Sequence, residues 1–565
     1  MSRERAAVVA LLLLFAAAGA ATLLLIQPGG GQSGSERARG SARAERRAAA
    51  DEPAAGAPKQ KPSPGADLSP AAQQAALRRL VAASSHRPPR TIVMVVFDEL
   101  PLTSLMGPGE DIDAARYPNF ARLARRGFWF RGATAVHDST ALAVPAILDG
   151  RYPRRGHSSD YVSHPRNLFT LLAPSYDLHV SEEATGLCPP SLCTPTPGTT
   201  ISHVGHGKVK RFDRWLQGVE AEPGEPALDF KHVLVPHVPW KYLPSGLSYR
   251  RQPGEPIPGL NGMRGFGNPW LVQLSYQRHL LQLGFADRLL GQVVHRLKAL
   301  GLWRRAMVVV VADHGIGFHV GVERRTVTPS NLADIAPVPL FVKLPGQPRG
   351  LVVDRHVETI DVLPTILTAA HVALPQPLDG HSLLRPTAAR LRQVTIYHRI
   401  GTRLNTIGGR YTFSPAELVR ARRAALERKL AMFGSGGGRE PRRLFEIGPH
   451  PALVGKRVDQ LELLPGRAQA TVDQAAELGD VDPGSGFVPA ELTGTLPHGR
   501  PGGGRAFAIS VDGRVAAVGR TFSLEGSTDE SFAAVVPGWT LQPGPNDVRV
   551  YEVTERAGKP ALRPL

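Results

Sequence analysis

The sequence predicts an α/β protein with a mainly parallel central sheet flanked by helices, preceded by a transmembrane helix and followed by a small β-rich domain. Two segments rich in β-branched residues, 91–97 and 308–312, have the continuous apolar character of buried parallel strands. Between them, residues 269–302 repeat apolar side chains every three or four positions, as a helix packed on a sheet does. This order indicates the strand–helix–strand connection that a parallel sheet requires.

The first element is an uncharged apolar run at residues 6–26, which is long enough for about one bilayer crossing. We interpret it as an uncleaved anchor with residues 1–5 as a cytoplasmic tail; a cleaved secretory signal is the alternative. We expect a single-pass protein of the cell membrane with its catalytic domain outside the cytoplasm. The arginines at 37–47 oppose this orientation by charge count, although large translocated domains override such a bias.

Residues 27–88 are rich in Ala, Pro, Gly, Ser and Arg and predict a disordered basic linker with a reach of about 45 Å. The whole chain carries a net charge of +18. Aromatic residues are not interleaved with the basic ones, which argues against a nucleic-acid partner. Lipid head groups or wall polymers are the anionic partners we expect, and a genome-wide preference for arginine is the alternative explanation of the charge.

The two predicted strands end in polar residues of metal-ligand type. Residues 91–97 run into Asp98 and Glu99, and a pair of acids at the end of a core strand is costly unless a cation compensates it. Residues 308–312 run into Asp313 and His314, and the following glycine lets the backbone turn away. Because ligands gather at the carboxyl ends of parallel strands, these residues predict a metal site.

Two further segments supply candidate catalytic residues. Ser139 and Thr140 precede an apolar helical stretch, where a hydroxyl acts either as a helix cap or as a nucleophile assisted by the helix dipole. His237 lies between two prolines in HVLVPHVPW, residues 232–240, and either packs in the core or stabilises developing charge.

Other polar residues allow two interpretations each. Arg324 and Arg325 either clamp an anionic substrate or are solvated at the surface. His319 reaches a second metal or lies in a loop without such a role, and Asp287 on the long helix is expected to be structural. Cys188 and Cys193 in a Pro-rich loop suit a disulfide in an oxidising compartment, with a metal pair as the alternative.

The character of the chain changes after residue 395, and we expect the catalytic domain to span 89–395. Residues 396–565 predict a linker helix and a β-rich accessory domain. Ser414, Pro415 and Glu417 form a capping-box signature that starts the helix. Later, residues 506–520 alternate around an Asp-Gly turn, which predicts a hairpin, and 548–553 is interpreted as a closing strand.

Six segments in order resemble the sulfatase-like family of the alkaline phosphatase superfamily, over roughly residues 90–390. They are FDE at 97–99, TALAVPAILDGRYP at 140–153, ADHG at 312–315, VPLFVKLPG at 338–346, TIDVLPTIL at 359–367 and LDGHSLLRP at 378–386. The resemblance places Thr140 in the nucleophile position, where classical sulfatases carry Cys-x-Pro-Ser-Arg. A threonine cannot be oxidised to formylglycine, and the arginine of that motif is absent. Threonine in this position is similar to the branch that transfers phosphoethanolamine or phosphoglycerol, which favours phosphoryl chemistry.

The resemblance implies a metal-dependent enzyme that hydrolyses or transfers phosphate or sulfate esters. We expect Asp98, Asp313 and His314, with Glu99 as a fourth ligand, to hold a divalent ion that also contacts Thr140. This ligand set suits manganese or zinc, and magnesium or calcium less well. Thr140 would attack the ester, and His237 would bind the transferred group or protonate the leaving oxygen. The alternative is an inactive envelope protein that keeps the fold as a binding scaffold.

Overall fold

The computed structural model describes residues 63–194, 207–221, 224–250, 267–374, 377–385, 393–401, 403–434, 442–467, 469–496, 503–523 and 529–565. The predicted cytoplasmic tail and the anchor at 6–26, together with the first part of the predicted linker, lie outside these ranges. Within them, no helix has both the length and the apolar character needed to cross a bilayer.

The centre of the protein is a seven-stranded sheet in the order β3-β4-β1-β5-β6-β2-β7. Its strands are β1 Thr91–Phe97, β2 Phe128–Thr134, β3 Asp177–Ser181, β4 Ala227–Val233, β5 Met307–Ala312, β6 Leu340–Lys343 and β7 Leu351–Glu358. All neighbouring strands are parallel except that β6 runs antiparallel to both β5 and β2. The predicted α/β class with a mainly parallel sheet is therefore confirmed.

Both faces of the sheet are buried. Successive side chains on a strand point to opposite sides, so one strand contributes residues to the apolar core on each face. Val93, Val95 and Phe97 of β1 belong to one apolar cluster, whereas Ile92, Met94 and Val96 belong to another. The helices that cover these faces are α1 Pro70–Ala82, α2 Leu102–Leu105, α3 Pro118–Ala124, α4 Thr140–Asp149, α5 Leu168–Leu172, α6 Lys208–Gly218, α7 Pro269–Ala299, α8 Leu332–Ile335 and α9 Val362–Ala369.

Helix α7 is the predicted long helix between β4 and β5. It begins after Asn268, whose side chain accepts hydrogen bonds from the first backbone N–H groups of the helix. Asp287, near its middle, is structural as expected. Its carboxylate accepts hydrogen bonds from the backbone N–H groups of Asn119 and Phe120 at 2.8–2.9 Å and so anchors the start of α3.

The second part of the predicted disordered linker is ordered, which corrects that prediction for residues 63–88. Helix α1 is capped by Ser69, and Ala76, Leu77 and Leu80 on one side of it are buried against the sheet. These three residues have the spacing of a helical apolar stripe. Ser63 is tied to the domain by a 2.6 Å hydrogen bond from its backbone N–H to Asp111. The domain built on the seven-stranded sheet thus includes residues from 63 onward.

The domain also extends beyond the predicted boundary at residue 395. Strands β8 Val394–His398 and β9 Gly409–Phe413 form a hairpin, and α10 Pro415–Phe433 follows it with the predicted capping box at Ser414. Helix α10 packs on the domain built on the seven-stranded sheet instead of linking two domains. Its buried Arg422 donates to the backbone oxygen of Arg131 at 2.9 Å, and its buried Lys429 donates to that of Ser104 at 3.0 Å.

The remaining residues form two mainly antiparallel sheets. Their strands are β10 Glu462–Leu463, β11 Thr471–Val472, β12 Glu491–Leu496, β13 Ala506–Val511, β14 Arg514–Arg520, β15 Phe522–Ser523, β16 Glu530–Val535, β17 Val548–Arg556 and β18 Lys559–Pro564, with the short helix α11 Ala475–Leu478. Strands β13 and β14 are the predicted hairpin. The expected closing strand is β17, but β18 follows and pairs with it. Cys188 and Cys193 form the predicted disulfide.

The first turns of α7 join the two parts of the protein. Trp270, Leu271 and Leu274 share an apolar cluster with residues of β13 and β16. At the same interface, the fully buried guanidinium of Arg278 pairs with Glu491 at 2.6 Å, and Arg250 approaches the same carboxylate at 3.3 Å.

We expect Glu491→Ala to lower the free energy of unfolding by about 3 to 5 kcal/mol, because it leaves the Arg278 charge buried without its partner. Thermal and urea unfolding measure this loss. The double variant Arg278→Met/Glu491→Leu removes both charges of this pair and should recover part of the stability, because Arg250 still loses the same carboxylate. Equal losses in the single and double variants would show that the ion pair does not explain the effect.

Candidate active site

The register of the sheet brings the ends of β1, β4 and β5 to one edge. Phe97 at the end of β1 pairs with Val233 on β4 and with Ala312 on β5, so the residues that follow these strands converge. Asp98, Asp313 and His314 each place one ligand atom within 4.8 Å of the others, and all three are buried. A Cβ on Gly315 would lie 2.0 Å from the backbone oxygen of Asp334, so only glycine fits after this pair.

Thr140 is the first residue of α4 and lies against this group. Its Oγ1 is 3.2 Å from Asp98 Oδ1 and 3.2 Å from His314 Nε2. Ser139 occupies the N-cap position but makes no side-chain cap hydrogen bond. The capping interpretation of these hydroxyls is therefore not what the structure shows. The Thr140 oxygen lies at the helix N-terminus, where unpaired backbone N–H groups and the helix dipole favour negative charge.

The ring orientation of His314 leaves Nε2 available as a ligand. Its Nδ1 donates to the backbone oxygen of Gly315 at 2.8 Å, so the lone pair of the neutral ring is on Nε2. Asp313 is oriented in a similar way, because its Oδ1 accepts from the backbone N–H groups of Glu99 at 3.1 Å and His314 at 2.7 Å. Asp313 Oδ2 has no hydrogen-bond donor in the part of the chain that the structure describes.

These residues fit a divalent metal ion. Burial, the neighbouring charge of Asp313 and then that of Glu99 raise the pKa of Asp98 well above its usual value. Two buried carboxylates this close are costly when both are ionised, and a cation removes that cost. The unpaired Oδ2 of Asp313 and the free Nε2 of His314 are oxygen and nitrogen donors of the kind that Mn²⁺ and Zn²⁺ accept.

Glu99 does not join this group, although the sequence suggested it as a fourth ligand. Its backbone has a positive φ of 58°, which turns the chain directly after Asp98. Its carboxylate pairs with Arg325, whose Nε is 2.5 Å from Oε1. This ion pair holds the pKa of Glu99 far below its ordinary value despite burial. The structure therefore gives Glu99 a guanidinium partner, and Arg325 is buried instead of solvated.

His237 and Arg324 lie beside this ion pair. His237 Nε2 is 3.8 Å from Glu99 Oε1, and its Nδ1 donates to the backbone oxygen of Val238 at 2.5 Å. Burial lowers the pKa of His237 to about 4, so the ring is neutral at physiological pH with its lone pair on Nε2. The guanidinium of Arg324 stacks over the ring of Trp240, with its Cζ 5.6 Å from the centroid.

His319 is placed elsewhere. Its Nε2 is 2.5 Å from Asp334 Oδ2, and the ring belongs to no other group of ligand type in the described ranges. The structure thus favours the interpretation of His319 as a loop residue without a second metal.

Three residues near the site were not singled out from the sequence. His232, at the end of β4, has Nε2 3.7 Å from Asp98 Oδ2. Lys208, at the start of α6, donates to the backbone oxygen of Leu234 at 2.9 Å, and burial followed by the charge of Lys241 lowers its pKa to about 7. The buried Arg399 follows β8, and its backbone N–H donates to Asp138 at 3.0 Å, two residues before Thr140. Of these three, only His232 could have been found from the sequence, because it lies near the end of a strand that leads into the site.

The sulfatase family model matches residues 207–372. This segment contains His237, Asp313 and His314, whereas Asp98 and Thr140 precede it. Arylsulfatase K of Bos taurus is 34% identical over 99 residues, which are 17% of this chain and 18% of that protein. The ulvan-active sulfatase of Formosa agariphila is 25% identical over 167 residues, or 29% of this chain and 32% of the relative. The matches thus span less than a third of these relatives.

Two solved structures are also similar. The phosphonate monoester hydrolase of Silicibacter pomeroyi is 18% identical, with a TM-score of 0.42 over 60% of this chain and 95% of its own. A protein solved in complex with its substrate D-glucosamine-2-N,6-O-disulfate is 13% identical, with a TM-score of 0.43 over 58% of this chain and 87% of its own. These TM-scores carry no argument about this protein. The finding that stands is that residues 207–372 match the sulfatase family model.

Proposed function

We propose that the protein is a membrane-anchored, metal-dependent enzyme that acts outside the cytoplasm on phosphate or sulfate esters through Thr140. The observation that carries this proposal is the position of Thr140 Oγ1, 3.2 Å from both Asp98 and His314 in a group of metal-ligand type. Asp98, Asp313 and His314 would hold the divalent ion, which supplies Lewis-acid polarisation of the ester. Anchoring depends on the apolar run at 6–26.

In the proposed reaction, Thr140 Oγ1 forms a bond to phosphorus or sulfur while the bond to the leaving oxygen breaks, and the proton of the Thr140 hydroxyl ends on that leaving oxygen. The group then resides on Thr140 until water or an acceptor alcohol displaces it. His237 is suited to this second step, because its neutral ring has a lone pair on Nε2 that takes the proton of the incoming hydroxyl. Thr140 Oγ1 is the leaving oxygen of this second step, and it receives that proton as its bond to the transferred group breaks.

The anion would be held by positive and donor groups around this edge of the sheet. Arg324, Arg325 and Lys208 are buried near the site and are the donor groups available to an anion, although Arg325 is paired with Glu99 and burial lowers the pKa of Lys208 to about 7. Because Thr140 cannot be converted to formylglycine, we propose phosphate esters as the preferred class. An acceptor alcohol would make the enzyme a transferase, and water would make it a hydrolase.

The test is turnover by the full chain in detergent with p-nitrophenyl phosphate, a p-nitrophenyl phosphodiester and p-nitrophenyl sulfate, each with added Mn²⁺ or Zn²⁺. We expect the phosphate esters to be cleaved faster than the sulfate. Adding glycerol should divert product to a glycerol ester if the enzyme is a transferase. Absence of turnover in every combination would favour a scaffold protein that keeps the fold without catalysis.

A further inference from the structure

The amino ends of four of the parallel strands, β1, β2, β5 and β7, carry an exposed positive surface at the edge of the sheet opposite Thr140. We define the arginine face as Arg87, Arg125, Arg126, Arg304 and Arg349. Each lies within a few residues of the start of β1, β2, β5 or β7, and all are exposed. Four separate chain segments therefore bring arginines to one edge of the sheet.

The charge of the arginine face is not compensated within the described ranges. None of these five side chains has a hydrogen bond or ion pair to another described residue. Exposed arginines of the C-terminal sheets differ, since Arg457, Arg549 and Arg556 each pair with a carboxylate. The charge of Arg304 also contributes, after burial, to lowering the pKa of nearby Lys343 to about 8.

A cavity of about 360 Å³ opens within this face. Arg87 and Arg304 line it together with Arg90 and Arg305, and its lining includes no acidic residue. Guanidinium groups converging on a concave surface suit the oxygens of a phosphate group.

The chain enters the domain at the same edge. The backbone oxygen of Pro64 accepts a 2.7 Å hydrogen bond from Val352 at the start of β7, and Ser85 bonds the backbone of Pro345. Residues 27–62 are all that separates the apolar run at 6–26 from this point. The C-terminal sheets lie elsewhere, because they pack on the first turns of α7 and not on its last turns.

We propose that the arginine face docks on an anionic phospholipid membrane; this inference rests on the anchoring proposed above, and the membrane is the one that would hold residues 6–26. Phosphate head groups complement the uncompensated guanidinium groups, and the entry point of the chain keeps this edge close to the anchor. The active site then faces away from the bilayer, at a height of at least about 20 Å, which is the length of the seven-residue strand β1. The substrate ester is accordingly presented by a polymer or a soluble molecule and not by a head group of that bilayer.

The test uses the full chain in nanodiscs of phosphatidylcholine alone or of phosphatidylcholine mixed with phosphatidylglycerol. Phenylglyoxal modifies accessible arginines, and mass spectrometry gives the rate at each one. We expect Arg87, Arg304 and Arg349 to react about fivefold more slowly in the anionic nanodiscs, and the difference to vanish at high salt. Arg457 and Arg549 serve as internal controls and should react equally in both.

A variant tests the same surface without touching the site. Arg125→Gln, Arg126→Gln, Arg304→Gln and Arg349→Gln in one full-length chain should remove the protection of Arg87 while turnover of a soluble ester in detergent stays at the wild-type level. Equal rates in both lipids would overturn the proposal. Protection by soluble polyphosphate in detergent, without protection in anionic nanodiscs, would overturn it in favour of a polymer-binding surface. If the wild type showed no ester turnover but its arginines were protected in anionic nanodiscs, the proposed reaction would be overturned and docking would be supported.

Discussion

Thr140→Ala lowers ester turnover by at least about 1,000-fold if Thr140 is the nucleophile, because loss of a nucleophile removes the covalent route altogether. The substitution deletes an oxygen that lies 3.2 Å from Asp98 and from His314 but leaves the three candidate ligands in place. Metal content should therefore stay near the wild-type value. The measurement is kcat with the best substrate of the ester panel, together with metal per chain.

Thr140→Ser is the matched control. It keeps a hydroxyl at the first position of α4 and should retain measurable turnover, whereas alanine should not. A wild-type sample quenched during turnover should contain a peptide that carries the transferred group on Thr140, and the Thr140→Ala variant should contain no such peptide. If the alanine variant kept more than about a tenth of wild-type turnover, another group would be the nucleophile.

The sequence predicted the parts of the fold that depend on local pattern. The continuous apolar character of β1 and β5 and the periodicity of α7 follow from burial on both faces of a sheet and on one face of a helix. The capping box at Ser414 similarly marked the start of α10. The convergence of Asp98 and Asp313 could also be predicted, because the carboxyl ends of parallel strands lie at one edge of the sheet.

Other features depend on tertiary contacts that a sequence does not display. Glu99 was expected as a fourth ligand, but its backbone has a positive φ and its carboxylate pairs with Arg325, which is more than two hundred residues away. Helix α1 was missed because its short stripe of Ala76, Leu77 and Leu80 lies in a segment whose composition is typical of linkers. Only the docked position on β7 gives that stripe a partner.

The boundary near residue 395 was placed too early for a related reason. A helix rich in arginine is typical of a solvated linker. Arg422 and Lys429 of α10 are nevertheless buried, and they donate hydrogen bonds to backbone oxygens of the domain built on the seven-stranded sheet. Hairpin β8–β9 likewise attaches to the segment before Thr140 through Arg399 and Asp138. Charged residues in a sequence indicate exposure on average, whereas their partners decide whether they are buried.

Asp313→Asn should remove stoichiometric metal and lower turnover by a factor comparable to that of Thr140→Ala. Asn keeps the oxygen that accepts from the backbone of Glu99 and His314 but replaces the unpaired Oδ2 with a neutral donor. Metal per chain and thermal unfolding with and without Mn²⁺ measure the effect. Asp334→Asn, an acid paired with His319 outside the three-residue group, is the control and should keep its metal.

The order of the melting temperatures of wild type and Asp313→Asn distinguishes a metal site from a structural acid cluster. In the metal-free protein, the charge of Asp313 raises the pKa of Asp98, so the two buried carboxylates destabilise each other. Metal-free Asp313→Asn should therefore unfold at a higher temperature than the metal-free wild type. A ligand at a hundred times its Kd adds about 2.7 kcal/mol to the wild type and nothing to a variant that cannot bind it. The order of the two melting temperatures should then reverse on adding Mn²⁺, and an unchanged order at saturating metal would argue that Asp98, Asp313 and His314 are not its ligands.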